Sequence, residues 1–423
     1  MSFFTRPIIV FLLNEGTHRF MKILLVCQHY YPEPFRVTRI AENLVKGGNE
    51  VTVLTGIPNY PEGHYYPSYS KKENREQTIN GVHIIRAFEH PRKKGVVHRV
   101  WNYYSFPFHG SRVAKKLIER FDCIFTIGLS PIMMARPAIA YKKKWGDTPI
   151  LMYEMDLWPE SLLAGGIKKG SFVYNHYKKV SAKIYSQMDR ILVTSEAHIE
   201  YIESLIGKKE GRIAWLPQFA DDAVGERPSK KSSDGPTTFL FAGNIGKAQS
   251  CITILEAAKK WRDSNKARFL FVGSGSELEN LKAYKEENKL DNVIFEGRVP
   301  LSEMQKYYDL ADAAIVSLTG DEYCKKTVPG KVQSYLKAGL PILSIDSGAT
   351  SKWINEIGCG FTCPAEDVEG FVGIAKRFIS LSLEEKTKLS QHGKLFYENK
   401  LSEKHFTKNL EQEFSKLGKH DAK

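Results

Sequence analysis

The chain has 423 residues, enough for two domains with a core each. Its 42% hydrophobic and 26% charged residues are ordinary for a soluble globular protein, and its six cysteines contain no CxxC pair that would suggest zinc or dithiol chemistry. A net charge of +13 calls for an anionic partner: nucleic acid, a membrane surface or a phosphorylated substrate.

The cysteines read as reduced, buried thiols of a cytosolic protein, with no metal site. Near the N-terminus, Pro7–Leu13 is apolar but too short to span a bilayer, which needs about 20 residues. It lacks a small-residue cleavage site. Residues 1–20 are expected to be an extension outside the fold, or a short peripheral anchor.

The first half alternates strand and helix. Lys22–Cys27 reads as a strand, followed by the loop Gln28–Pro34 and an amphipathic helix over Thr38–Val45 that ends at Gly47-Gly48. Glu50–Leu54 is the next strand, before an aromatic loop, Gly56–Gly63. Further strands are expected at Val82–Arg86, Cys123–Ile127, Ile150–Tyr153 and Arg190–Thr194. This rhythm implies a parallel, doubly wound sheet with ligands at the C-terminal strand ends. No GxGxxG follows the first strand, so a dinucleotide there is not expected.

Two stretches of this half carry chemistry. No Asp or Glu occurs between Glu89 and Glu119, whereas Arg92, Lys93, Lys94, Arg99, Arg112, Lys115 and Lys116 mix with Trp101, Tyr103, Tyr104, Phe106 and Phe108. Such a mixture suits an anionic membrane surface. It also suits stacking on single-stranded nucleic acid, or a core helix with solvated lysines. The second stretch is Glu154–Glu160, with three carboxylates directly after a strand. Asp156 and Glu160 could hold a hydroxyl or take its proton; in the blander reading Asp156 caps a turn.

From Pro217 to Pro236 the chain turns polar and reads as a linker. A second series follows. Strands are expected at Thr238–Ala242, Arg268–Val272, Val293–Phe295, Ala313–Ser317 and Ile342–Ile345, with helices over Ser250–Arg262, from Glu277 and over Met304–Leu310. Gly-rich loops follow the first three strands, and such loops let backbone N–H groups approach phosphates. Then comes Thr327–Ser344. Pro329 suits a first helical turn, Lys331 adds a mobile positive charge there, and Gly339 ends the helix.

The motifs His29–Pro34 with Arg39, Gly56–Pro61, Asp156–Ser161, Gly243-Asn-Ile-Gly-Lys247, Gly297-Arg298, and Pro329-Gly-Lys331 with Tyr335 and Gly339–Pro341 together resemble the family 4 retaining glycosyltransferases. Within that family the chain is most similar to the WbuB-like L-fucosamine transferases of O-antigen and capsule synthesis. The resemblance spans about residues 21–400. It implies the α/β GT-B fold, two facing Rossmann-like domains around a cleft. Residues 21–216 would be the acceptor domain, 217–236 the linker and 237–384 the nucleotide-sugar domain, with 385–423 returning toward the first domain.

By the same resemblance, Gly243, Asn244, Gly246 and Lys247 would lie by the donor diphosphate, the backbone near Arg298 by the base, and Pro329, Gly330, Lys331 and Ser334 by the diphosphate and sugar, with Lys247, Arg298 and Lys331 neutralising the leaving diphosphate. The donor would be a nucleotide diphosphate sugar, expected to be UDP-linked, and no metal or other cofactor would be needed. Many members carry two Glu eight positions apart in this stretch. Here those positions hold Lys326 and Ser334, and Glu322 is the candidate substitute.

The expected activity is therefore transfer of a sugar to a lipid-linked or oligosaccharide acceptor. It would occur at the inner face of the cytoplasmic membrane, held through Arg92–Lys116. The alternatives are a non-catalytic sugar-nucleotide-binding subunit of a polysaccharide assembly complex and a nucleotide-sugar 2-epimerase. A nucleic-acid partner would explain the charge but not the paired βα series.

Overall fold

The computed structural model describes residues 20–417, apart from 71–72, 94, 165, 221–224, 226–234 and 265. The expected extension over residues 1–20 falls outside the described residues except for Phe20, as does most of the expected linker.

The strands of the first half are β1 (Lys22–Val26), β2 (Glu50–Thr55), β3 (Glu76–Ile79), β4 (Val82–Arg86), β5 (Cys123–Gly128), β6 (Ile150–Glu154), β7 (Arg190–Val193) and β8 (Ile213–Trp215). They form one sheet in the order β3-β4-β2-β1-β5-β6-β7-β8, parallel except for β3 against β4. Strands covered on both faces read as unbroken apolar runs. In β1, Leu24 and Val26 enter one core while Ile23 and Leu25 enter the other. The two short strands β3 and β8 were not foreseen from sequence; Glu76–Ile79 and Ile213–Trp215 are half-exposed or open edges with little apolar signal.

The second half supplies β9 (Thr237–Ala242), β10 (Ala267–Val272), β11 (Val293–Gly297), β12 (Ala313–Ser317), β13 (Ile342–Ile345) and β14 (Gly360–Cys363). Their order is β11-β10-β9-β12-β13-β14, all parallel. Two facing Rossmann-like sheets of this kind make the GT-B architecture. The expected helix over Ser250–Arg262 is shorter, Ile252–Ala258, because Ser250 takes a left-handed conformation and Lys259–Trp261 tightens to a 3-10 turn.

Three helices of the first domain matter below: α1 (Val37–Lys46), α2 (Val96–Lys116) and α3 (Arg136–Trp145). α1 buries Val37, Ile40, Ala41 and Leu44 at helical spacing, against the core on its side of the sheet.

The chain passes between the domains twice. The first pass is not loose at its start: Phe219 and Ala220 are fully buried, and Arg36 and Arg39 lie over the Phe219 ring. The return begins later than residue 385. The helix Leu383–Phe396 stays on the second domain, where Ser390 Oγ donates to the Gly339 carbonyl and His392 Nδ1 lies 3.0 Å from the Gly358 carbonyl. Only the last helix, Glu403–Leu417, lies on the first domain. Its Phe406, Leu410, Phe414 and Leu417 complete a first-domain core, while Glu403 pairs with Arg39 and Glu413 with Arg190.

Candidate active site

On the donor side, the strand end of β9 and the start of the helix Lys331–Ala338 are locked together. The Tyr335 hydroxyl accepts from Ala242 N at 2.8 Å and donates to the Ala242 carbonyl at 3.3 Å. One turn earlier, this clamp brings Lys331 against Gly243. A Cβ on Gly243, whose φ is +128°, would stand 3.2 Å from Lys331 Cε and 3.4 Å from its Nζ. The Gly243–Lys247 loop is stitched to the loop after β10 by Ile245 N to Ser274 O, and internally by Gln249 Oε1, which accepts from Gly246 N and Asn244 Nδ2.

Lys331 is not the mobile charge expected from sequence. Its Nζ lies 3.6 Å from the Phe241 ring centroid and has no hydrogen-bond partner among the described residues. Burial pushes its ammonium down to about 8, against a small opposing effect of Cys251. Lys247 and Arg298 are exposed. Ser334, where many relatives of this pattern carry Glu, is buried in the helix.

Glu322, the candidate substitute, stands on the exposed turn before this helix. Its half-exposed carboxylate pairs with Lys325 at 3.1 Å and Lys326 at 3.2 Å, which hold it below the usual carboxylate range. The turn before the helix is instead shaped by Asp321, which accepts from Tyr323 N and Cys324 N.

On the acceptor side, the ends of β1, β2 and β4 gather a buried polar cluster. His29 Nδ1 lies 3.0 Å from Glu33 Oε2, and Glu33 Oε1 accepts from Asn59 N and Tyr60 N. Burial would lower the His29 imidazole, but the bonded Glu33 outweighs it and raises the net value. Glu89 Oε1 accepts from Gln28 Nε2 and Asn102 Nδ2, both at 2.7 Å, while Oε2 has no hydrogen-bond partner among the described residues. Burial pushes the Glu89 carboxyl up to about 7, against the lowering charge of His29. Gly56 is obligatory beside it, because a Cβ there would overlap the Glu89 carboxylate. Sequence reasoning missed Glu89, which follows a strand with no motif around it.

The Glu154–Glu160 stretch divides. Asp156 is partly buried and its Oδ2 accepts from Ser130 N at 3.1 Å; burial raises its carboxyl, opposed by that bond and by Arg92. Glu160 is 1% exposed and accepts from the Tyr174 hydroxyl at 2.6 Å, so it is walled off from any acceptor. That corrects its candidacy as a catalytic group. Glu154, buried at the strand end, accepts from the Tyr185 hydroxyl at 2.9 Å, and burial raises its carboxyl well above the usual range.

The two sides meet. Arg36 bonds Gln218, and both lie within 4 Å of where a Cβ on Gly330 would stand. Tyr323 packs on the first-domain core and feels the charges of Asp156 and Glu154. Arg298 is close enough to affect Tyr66, whose hydroxyl donates to the Tyr60 carbonyl.

Family models match both halves. The one described as "Glycosyltransferase Family 4" matches residues 35–224, and "Glycosyl transferases group 1" matches residues 236–380. Two glycosyltransferase models thus cover the two halves in turn, the family 4 model the first of them.

Among curated relatives, the probable glycosyltransferase WbjE of Pseudomonas aeruginosa is 26% identical over 60% of this chain. The match spans 64% of WbjE, just under two thirds of its length. The putative colanic acid biosynthesis glycosyl transferase WcaI of Escherichia coli is 24% identical over 65% of this chain and 71% of WcaI. Among solved structures, sucrose-phosphate synthase of Thermosynechococcus elongatus aligns with a TM-score of 0.73 at 15% identity, over 94% of this chain and 98% of that one. Anabaena HepE, in complex with UDP and glucose, aligns with a TM-score of 0.66 at 12% identity, over 93% and 99%. At such identities the likeness is one of fold.

Proposed function

We propose that this glycosyltransferase moves a sugar, with retention, from a UDP-linked sugar to a lipid-linked or oligosaccharide acceptor. The setting is bacterial O-antigen or capsule synthesis at the inner face of the cytoplasmic membrane. The observation that carries this reading is Lys331, a buried cation without a counter-charge at a helix start beside a glycine loop. A diphosphate is the group that such a site lacks. Lys331, Lys247 and Arg298 neutralise the leaving diphosphate, and the donor step needs no bound metal. Asp156 acts on the acceptor as a base or a hydroxyl anchor, with the Glu89–His29–Glu33 cluster supporting it.

Three likenesses support the setting. HepE has this fold and was solved with UDP and glucose, WcaI is named for colanic acid biosynthesis, and WaaG, aligned with a TM-score of 0.61, is a glycosyltransferase involved in lipopolysaccharide biosynthesis. The transferred sugar is L-fucosamine or a close relative, on the motif resemblance. Membrane contact runs through Arg92–Lys116, where Val96, Val97 and Trp101 are exposed; Lys94 lies outside the described residues.

The test is mass spectrometry of products from a panel of nucleotide sugars with membrane extract, plus EDTA as a control. A lipid or oligosaccharide gaining one sugar supports the reading. An epimerised nucleotide sugar with no acceptor product overturns it in favour of the epimerase, and tight donor binding with no product in favour of a non-catalytic subunit. Activity abolished by EDTA overturns the metal-free donor step.

A further inference from the structure

The outer face of α2 carries one stripe: Val97, Trp101, Tyr104, Phe108, Arg112 and Lys115, spaced by three and four residues. Its first half is largely apolar, with Trp101 63% and Phe108 54% exposed and Tyr104 half-buried between them; its second half is cationic. Along this stripe runs a cavity of about 730 Å³, bounded by α2, by Phe88 and His90 after β4, and by Arg136 at the start of α3. A second cavity of about 330 Å³ continues it past Ser111, Lys115 and Arg136. Neither cavity is lined by any Asp or Glu.

Arg112, Lys115 and Arg136 have no carboxylate partner among the described residues. The Arg112 guanidinium lies 4.0 Å over the Phe108 ring instead. Arg136 begins a helix with no acid in its first turn, where the helix dipole disfavours a cation. Three cations without counter-charges at the end of an aromatic slot are complementary to a phosphate carrying an apolar chain. The larger cavity falls within the roughly 300–1,000 Å³ of sites that take small apolar ligands.

We propose that this slot is a discrete site for one anionic phospholipid of the bilayer. One acyl chain lies along Trp101, Tyr104 and Phe108, and the phosphate sits on Arg112, Lys115 and Arg136. The site rests on the membrane part of the proposed function and not on sugar transfer. It differs from diffuse attraction because it has walls and a fixed stoichiometry. It also touches the acceptor side. Along the extended segment after β4, Phe88 and His90 line the slot, while Ala87, Glu89 and Pro91 are buried between them. An occupied slot therefore braces the segment that holds Glu89 against Gln28 and Asn102.

The experiment reads Trp101 fluorescence in the full chain, with Trp101→Phe as the blank. Vesicles carry brominated-chain phosphatidylglycerol or brominated-chain phosphatidylcholine. The expected result is saturable quenching by the anionic lipid alone, persisting in salt that removes diffuse adhesion. The triple variant Arg112→Gln, Lys115→Gln, Arg136→Gln should need about tenfold more lipid for half-quenching. The single variant Ser111→Phe, which narrows the junction of the two cavities, should lose the quenching yet keep salt-sensitive adhesion and its melting temperature. Equal quenching by the zwitterionic lipid, or a triple variant that behaves as the parent, overturns the site. Displacement of phosphatidylglycerol by equimolar polyprenyl phosphate overturns its assignment to a bilayer lipid. If the parent adheres to anionic vesicles but is not quenched, the slot fails and the membrane reading stands. If it does not adhere, both fail.

Discussion

Lys331 Nζ stands 3.6 Å from the centre of the Phe241 ring, and that aromatic face, not a carboxylate, is what meets it among the described residues. A desolvated cation–π contact is worth about 2 kcal/mol, less than the desolvation it offsets. The ammonium therefore titrates near 8 rather than at its usual 10.5.

A diphosphate would reverse that depression. Donor affinity should be flat below pH 8 and fall above it, by up to about tenfold per pH unit, because the free protein then loses the proton that the complex needs. Stability of the free protein should move the other way. The unfolded chain keeps its proton up to 10.5 and the folded one only to about 8, so stability rises as pH climbs through that window. Lys331→Met should abolish both trends. Calorimetry at pH 7 and 9 checks the first, and urea midpoints from pH 8 to 10.5 the second.

Gly243→Ala should weaken donor binding more than it weakens the fold. At φ +128° an alanine costs on the order of 1–3 kcal/mol, and its methyl would stand 3.2 Å from Lys331 Cε and 3.4 Å from its Nζ, tight enough to shift that side chain. A melting-temperature loss with unchanged donor affinity would show that the close approach is structural only.

Glu89 gives the second pH prediction. Its folded value of about 7 lies above the ordinary 4.5, so between those values the folded state holds a proton that the unfolded state has lost. Stability should fall as pH rises from about 4.5 to 7, by roughly 3 kcal/mol if no other group compensates. Glu89→Gln should keep its bonds to Gln28 and Asn102 in part and flatten that limb. Denaturant midpoints between pH 4.5 and 8 decide it.

The strand cores were legible because strands such as β1, β5 and β9 are buried on both faces and read as apolar runs. The donor loop was legible too, since Gly243, Pro329 and Lys331 carry local backbone demands. What was not legible depends on which partners the fold closes around each side chain. Glu160 looked like Asp156 until Tyr174 enclosed it, and Glu322 looked free until Lys325 and Lys326 closed on it. Glu89 gained its place from Gln28 and Asn102, and Arg36 from Gln218 and Phe219, none of them adjacent in sequence.

Asp156 and Glu160 are separable by experiment. Asp156→Asn should lower turnover at least tenfold while leaving donor affinity within about twofold, because the change lies on the other domain. Glu160→Gln should leave turnover per folded molecule near the parent value and lower the melting temperature by a few degrees, through the Tyr174 bond. The reverse pattern would exchange their roles.

Removing residues after Leu401 should unfold the first domain before the second. Phe406, Leu410 and Phe414 are each nearly fully buried in the first-domain core, and each contributes roughly 1.5–3 kcal/mol. Two separate thermal transitions in the truncated protein, the lower one belonging to the first sheet, are expected in calorimetry. One shared transition would show that the last helix is dispensable.

The start of the outgoing passage lies against the returning one. Phe219 of the outgoing segment packs on Phe406 of the returning helix, and Tyr397 of the returning segment receives the Ala220 N–H. Two adjacent pins leave a pair of bodies little freedom except rotation about the line through them. Whatever is carried on the second domain must then approach Asp156 along a single arc, like a hinged leaf meeting its frame. Aim is thereby built into the connection itself, and the groups on the two faces need only have the correct radius from that line.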